Sequence, residues 1–228
     1  MNDPLAWLPV LLQTNDALFP TGAYAHSLGF EEFAKLNGIR NEAALRQFVD
    51  AHLLPALEAF ELPYLRFAFN AASVPELNEI DREISASKLS RELRDASVQL
   101  GRRRLAALRA VNDSEPYRQF SDSISAGAAD GNHLTVCALQ ARTEAFPLDA
   151  ALAAYFYQTI AGICGAALKV IRIGQEGCQR VLRHALAQSG SVISGSLNVE
   201  RESAGYFDPL LEIASMRHEF ANERLFIS

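Results

Sequence analysis

The sequence predicts an all-α fold, a single-domain helical bundle around one central apolar helix at about residues 150–173. Three observations lead there. The stretch Leu152 to Gln175, LAAYFYQTIAGICGAALKVIRIGQ, is nearly uncharged and too long for an ordinary strand. Elsewhere apolar residues recur at helical spacing, as at Leu89, Leu93, Ala96 and Leu100. No stretch shows a convincing strand alternation, and no internal repeat is present. A helix apolar on nearly every side belongs in the middle of a protein. A membrane span is the rival reading, opposed by Gln158, Thr159, Lys169 and Arg172, because charge inside a bilayer is costly.

Taken in order, Leu5 to Gln13 reads as a short helix and Asn15 to Gly22, NDALFPTG, as turn chemistry. Helical spacing resumes from Ala23 to Leu36 and breaks at Asn37-Gly38. Asn41 is a good N-cap for the following helix, which Pro55 is expected to kink or end near Leu54. A helical piece covers Leu62 to Ala71. Ser73 with Pro75, and then Ser90, open two more helices. Ser114 to Ser125 and His133 to Ala145 read as helices, Asp149 as a cap of the central helix, and Gly174 as its left-handed stop. After a helix over Gln175 to Gln188, the composition SGSVISGS predicts a flexible loop spanning 189–205. The segment 206–228 is a C-terminal helix and tail, with Leu210, Ile213, Met216 and Phe220 on one stripe. All of this makes one domain over 1–228.

With 228 residues the chain can bury a sizeable core, and its 49% hydrophobic and 21% charged content is that of a globular protein. The net charge of −6 disfavours a nucleic-acid binder. Cys137, Cys164 and Cys178 are odd in number and widely spaced, which suits reduced thiols and a cytoplasmic setting. The N-terminal segment lacks a secretory signal pattern.

Catalytic motifs are not evident. The chain has no Gly-x4-Gly-Lys-Ser/Thr loop, no Cys-x2-Cys pair and no His-Glu-x2-His. Its five histidines are scattered. On the central helix Gln158, Gly162, Gly165, Lys169 and Arg172 share one narrow face, where glycine would let a neighbouring backbone approach. From spacing alone Lys169 is a helix-end lysine complementing the dipole. The run Arg102-Arg103-Arg104 reads as a solvated helix face or as a patch for an acidic protein partner. The tail around Met216, Arg217, His218 and Glu219 either completes the core or waits to dock on a partner.

Four stretches, in order and spanning nearly the full chain, resemble the urease accessory protein UreF family. They are Leu11-Leu12-Gln13 through Phe19-Pro20-Thr21-Gly22-Ala23-Tyr24-Ala25-His26-Ser27-Leu28-Gly29-Phe30-Glu31; Arg91-Glu92-Leu93-Arg94 with Gln99-Leu100-Gly101; the central helix with Gly174-Gln175 and Gln179; and Ser215-Met216-Arg217-His218-Glu219 with Arg224-Leu225-Phe226 and Ser228. Departures are local. Arg172-Ile173 stands where the family commonly has Pro-Leu, and Leu134 and Ala138 where it commonly has Pro and Gly.

The resemblance implies a non-enzymatic co-chaperone of urease maturation. Such a scaffold binds UreD (UreH in some organisms) and recruits the GTPase UreG to the urease apoprotein, commonly as a two-fold homodimer. It implies no tightly bound cofactor, nickel passing transiently through the complex, and neither nucleic acid nor membrane as partner. It places Glu31 and Lys169 at the GTPase contact and the tail, including Met216, Arg217, His218, Glu219, Arg224, Leu225 and Phe226, at the UreD contact. Tyr24 and His26 join them as partner-binding candidates. The competing readings are a helical metal-dependent hydrolase using His26, His133 and His218, and a helical adaptor unrelated to urease.

Overall fold

Three helix starts fall where the sequence predicts a capping side-chain oxygen. Asn41 accepts from the Ala44 amide (3.0 Å), Ser73 from Glu76 (3.4 Å) and Ser90 from Leu93 (3.5 Å). The computed structural model describes residues 5–228, and every regular element among them is helical. In chain order these are α1 (Trp7–Asn15), α2 (Phe30–Asn37), α3 (Glu42–Phe48), α4 (Leu54–Ala56), α5 (Leu62–Asn70), α6 (Val74–Ser87), α7 (Arg91–Val111), α8 (Glu115–Ser125), α9 (His133–Thr143), α10 (Leu148–Val170), α11 (Gln175–Leu186), α12 (Ser189–Ser196) and α13 (Pro209–His218).

The central element is α10. It packs on α2, α5, α9 and α11, and its inward face carries Leu152, Phe156, Ile160, Ile163 and Ala167. Both α5 and α7 pack against α9, while α13 lies along α2. Among the described residues α10 is the one helix long and apolar enough to cross a membrane, yet half of its most apolar window (50%) is buried inside the protein. Its start differs from expectation: Pro147 occupies the cap position and Asp149 lies within the first turn. It also ends earlier, so Lys169 is in the last turn and Arg172 lies beyond it. Gly174 is not a left-handed stop; with φ −87° it is the extended residue that opens α11.

Other expectations are corrected by the packing. Pro55 does not end the helix near Leu54. The chain runs on helically from Glu42 to Asn70 because wider π turns at Val49–Leu53 and Leu57–Glu61 precede the prolines at the starts of α4 and α5. The region Ala23 to Leu36 is not one helix but a 3-10 turn, Ala23–Ala25, a left-handed corner at Leu28 and Gly29, and then α2. Gly162 and Gly165 admit no neighbouring backbone, since a Cβ on either would point into open space. The stretch Ser189–Ser196 is not loop: it forms α12, whose Val192 and Ser196 are buried beside the Leu57–Glu61 turn. Packing there overrides a composition poor in helix formers. Within Arg102–Arg104 the first two side chains are exposed, as a solvated face requires, but Arg104 is buried.

A polar joint fixes α6, α7 and α9. Asp81, fully buried, accepts the backbone N–H groups of Asp130, Gly131 and Asn132 at 2.6–2.8 Å. The Asn132 side chain donates back to the Asp81 carbonyl and accepts from Ser97. Gly101 makes this crossing possible, because a Cβ there would overlap the Gly131 carbonyl oxygen.

Candidate functional site

The tail after α13 returns to the corner between residues 25 and 31. Gly22, Leu28 and Gly29 all have positive φ there (77°, 51° and 84°), which turns the Ser27 and Leu28 amides outward. Both donate to the Ser228 carbonyl, with Ser27 Oγ as a third donor at 2.9 Å, while the Ile227 amide donates to the Ala25 carbonyl at 2.8 Å. The glycine at position 29 also permits the approach of α13, since a Cβ would overlap the Ser215 hydroxyl.

Glu31 is the hub. Its carboxylate is fully buried and accepts from Lys35 (2.9 Å), from the Leu225 and Phe226 amides (3.1 and 3.2 Å) and from His218 Nε2 (3.3 Å). Burial alone would push the Glu31 carboxyl up. The bonds from Lys35, Leu225 and His218 outweigh it and hold the group below the ordinary carboxylate range. His218 is equally buried and bridges on through Nδ1 to Glu92 at 3.0 Å. Around this axis lie the pairs Arg224–Glu92 (3.5 Å), Arg217–Glu32 (3.4 Å) and Arg91–Glu219.

His26 is buried, with Nδ1 bonded to Ser228 Oγ at 2.7 Å and, among the described residues, no partner on Nε2. Burial, with the Arg103 cation second, lowers its pKa and favours the neutral ring. Lys169 is exposed at the end of α10, its ammonium 4.9 Å from the centroid of the buried Phe226 ring. Tyr24 stands free on the 3-10 turn, 79% exposed.

Ten of the eleven residues singled out in the sequence therefore belong to the docked tail or touch its contacts, and Tyr24 sits on the adjoining turn. They do not all face outward. Glu31 and His218 are 0% exposed, so a partner cannot touch either while the tail is docked. Glu92, Glu32 and Lys35 complete the site and were missed as functional candidates. Glu92 stood within the Arg91-Glu92-Leu93-Arg94 stretch, in the first turn of α7, without a role assigned to it; for Glu32 and Lys35 the sequence signal was their place beside Glu31 on α2.

The outward face of this end is apolar. Phe207, Leu210, Ile213, Met216 and Phe220 are all exposed, the last at 80%, while α13 buries Ala214, Ser215 and His218. The expected stripe exists, but it faces away from the core. A second exposed apolar set, Leu12, Tyr157 and Leu168, lies on α1 and α10, which pack together.

The metal-hydrolase reading finds no support in the placement of its histidines. His133 lies on α9 with Nε2 3.5 Å from Cys137 Sγ, and among the described residues no three His, Cys, Asp or Glu side chains converge as a metal site. The three cysteines are unpaired, Cys164 and Cys178 being buried.

The family model described as UreF matches residues 39–186. The urease accessory protein UreF of Paenarthrobacter aurescens (strain TC1) is 34% identical over 218 residues, 96% of each chain. Its namesake from Arthrobacter sp. (strain FB24) is 32% identical over the same shares. That of Kocuria rhizophila is 28% identical over 98% of each. An all-helical chain that carries the four motifs in order, and which aligns with these relatives almost end to end, belongs to the UreF family of urease accessory proteins.

Proposed function

We propose that this chain is a non-enzymatic scaffold of urease maturation in the cytoplasm. It binds UreD (UreH) through α13 and the tail, and recruits the GTPase UreG for nickel insertion into the urease apoprotein. One observation carries the reading: a C-terminal helix that buries small and polar residues and turns Leu210, Ile213 and Met216 outward, with exposed Phe207 before it and Phe220 after it. A stripe of large apolar side chains at helical spacing is what a helix-in-groove partner reads. The exposed set on α1 and α10 is the surface for a two-fold homodimer. Lys169, exposed beside the tail, orients the GTPase, with Tyr24 on the neighbouring turn. Glu31 acts differently from a direct contact: being buried, it holds the tail in place. Nickel is cargo in this reading and needs no closed ligand set on this chain.

Co-purification with the organism's own UreD and UreG tests the proposal. The double variant Ile213→Glu, Met216→Glu is expected to fold normally and lose UreD, while Lys169→Ala keeps UreD and loses UreG. Retention of UreD by the double variant would refute the docking face. Failure of the unaltered chain to bind either protein in any nucleotide state would refute the scaffold.

A further inference from the structure

Arg104 is a buried cation without a carboxylate. Only 3% exposed, it donates from Nε and Nη2 to Gln140 Oε1 at 2.9 and 2.7 Å, and its guanidinium carbon lies 5.7 Å from the Phe19 ring centroid. Gln140 is in turn committed through Nε2 to Thr14 Oγ1 at 2.8 Å. The remaining nitrogen, Nη1, is buried and has no partner among the described residues. An isolated buried charge costs several kcal/mol in principle, and native proteins pair such groups.

What Arg104 faces is a cavity of about 20 Å³ beneath α1, between α9 and α10. Besides Arg104 its polar lining is Asn15, Cys137, Gln140, Tyr155 and Gln158, all neutral; the Asn15, Gln140 and Gln158 amides each keep an N–H to donate, while the Cys137 thiol is engaged with His133 and the Tyr155 hydroxyl with Glu61. Among the described residues no carboxylate borders it. Burial drives the Cys137 thiol and the Tyr155 hydroxyl toward their protonated, donating forms. Glu61, the carboxyl group facing Tyr155, is itself pushed toward neutrality by burial. The Arg104 charge is felt around the site, since it helps depress the His133 imidazole.

From this geometry we infer that the cavity is a binding site for one small monovalent anion of the halide class, chloride in the cell, held by Arg104 Nη1 and the Asn15, Gln140 and Gln158 amides. Its volume suits a guest about the size of one or two water molecules and excludes phosphate and sulfate. The site is separate from the tail and its partner face, and it does not depend on the urease reading. A metal cation would be repelled by Arg104.

Thermal unfolding of the full chain tests this in sodium chloride, bromide, gluconate and sulfate at equal ionic strength. General salt exclusion ranks sulfate above chloride. Site binding reverses that order: chloride and bromide raise the midpoint, by about 3–5 °C at tenfold the dissociation constant and logarithmically with concentration beyond it, and gluconate does not. Arg104→Met is expected to abolish the halide dependence. Should that variant fail to fold, anomalous diffraction from a bromide-soaked crystal of the unaltered chain decides. A bromide peak within hydrogen-bond reach of Arg104 supports the site. A water molecule there instead, or midpoints that follow the exclusion order, overturns it.

Discussion

Replacing Glu31 by glutamine removes one charge and one acceptor from the most connected side chain of the tail site. The carboxylate takes four donors: Lys35 on Oε1, Phe226 N–H and His218 on Oε2, and Leu225 N–H shared at 3.1 Å by both. An amide has a single acceptor oxygen. Whichever way it is turned, its NH2 faces either Lys35 or the Phe226 amide, and one donor is left opposed by another. A buried group stripped of its partner costs about 1–3 kcal/mol, and bonds to charged groups sit at the upper end. The docked tail should therefore lose about 2–4 kcal/mol. At 1.4 kcal/mol per factor of ten, amide exchange at Leu225 and Phe226 would accelerate about 30- to 700-fold in Glu31→Gln. Amides in α9 and α10 should be little changed, because the loss is local. Hydrogen exchange resolved to single amides reads both. Unchanged protection at Leu225 and Phe226 would mean that Glu31 does not hold the tail.

Three further outcomes follow from the same geometry. Gly29→Ala should cost about 1–2 kcal/mol for the left-handed backbone and a further 1–3 kcal/mol for crowding Ser215, seen as a lower urea midpoint with loosening of α13. Because the Glu31 pKa is depressed in the folded chain, its contribution is complete above the ordinary value of 4.5 and is lost as pH falls through the folded value; acid should release the tail, and Glu31→Gln should remove that pH dependence. His133 behaves as a half-buried neutral base. Desolvation first, then the Arg104 and Lys88 cations, push its pKa down to about 3. The unfolded chain takes up that proton near 6.5 while the folded chain does not, so stability should fall by about 1.4 kcal/mol per pH unit between the two values. In His133→Leu that share of the slope should vanish in urea titrations across the range.

Local rules carried much of the architecture. The caps at Asn41, Ser73 and Ser90 were legible because each oxygen acts within three residues of itself. The apolar run around Phe156 declared a central helix because water exclusion needs no knowledge of neighbours. Errors arose where a long-range contact outweighed a local preference. SGSVISGS is helical because Val192 has a pocket to fill, and the prolines at 55 and 63 are tolerated because π turns supply the room. The fate of Arg104 was hidden for the same reason: nothing in Arg102-Arg103-Arg104 says which of three identical side chains meets Gln140.

The tail site combines both cases. Its members could be gathered from the sequence, but their orientation could not, and orientation decides what each can do. On the ten residues of α13 and the ten that follow, inward groups and outward groups alternate in purpose. His218, the Leu225 and Phe226 amides and the Phe226 ring fasten the segment to α2 and α10. Met216, Phe220 and the Leu225 side chain, exposed on the opposite side, contribute nothing to that fastening. Inward substitutions should thus loosen the tail whether or not a partner is present, whereas outward ones should leave the isolated protein within about 0.5 kcal/mol of its original stability. A segment whose large apolar side chains are surplus to its own docking is held in shape by one set of residues and offers a surface with another. That division is why Glu31, although wholly buried, belongs to the site.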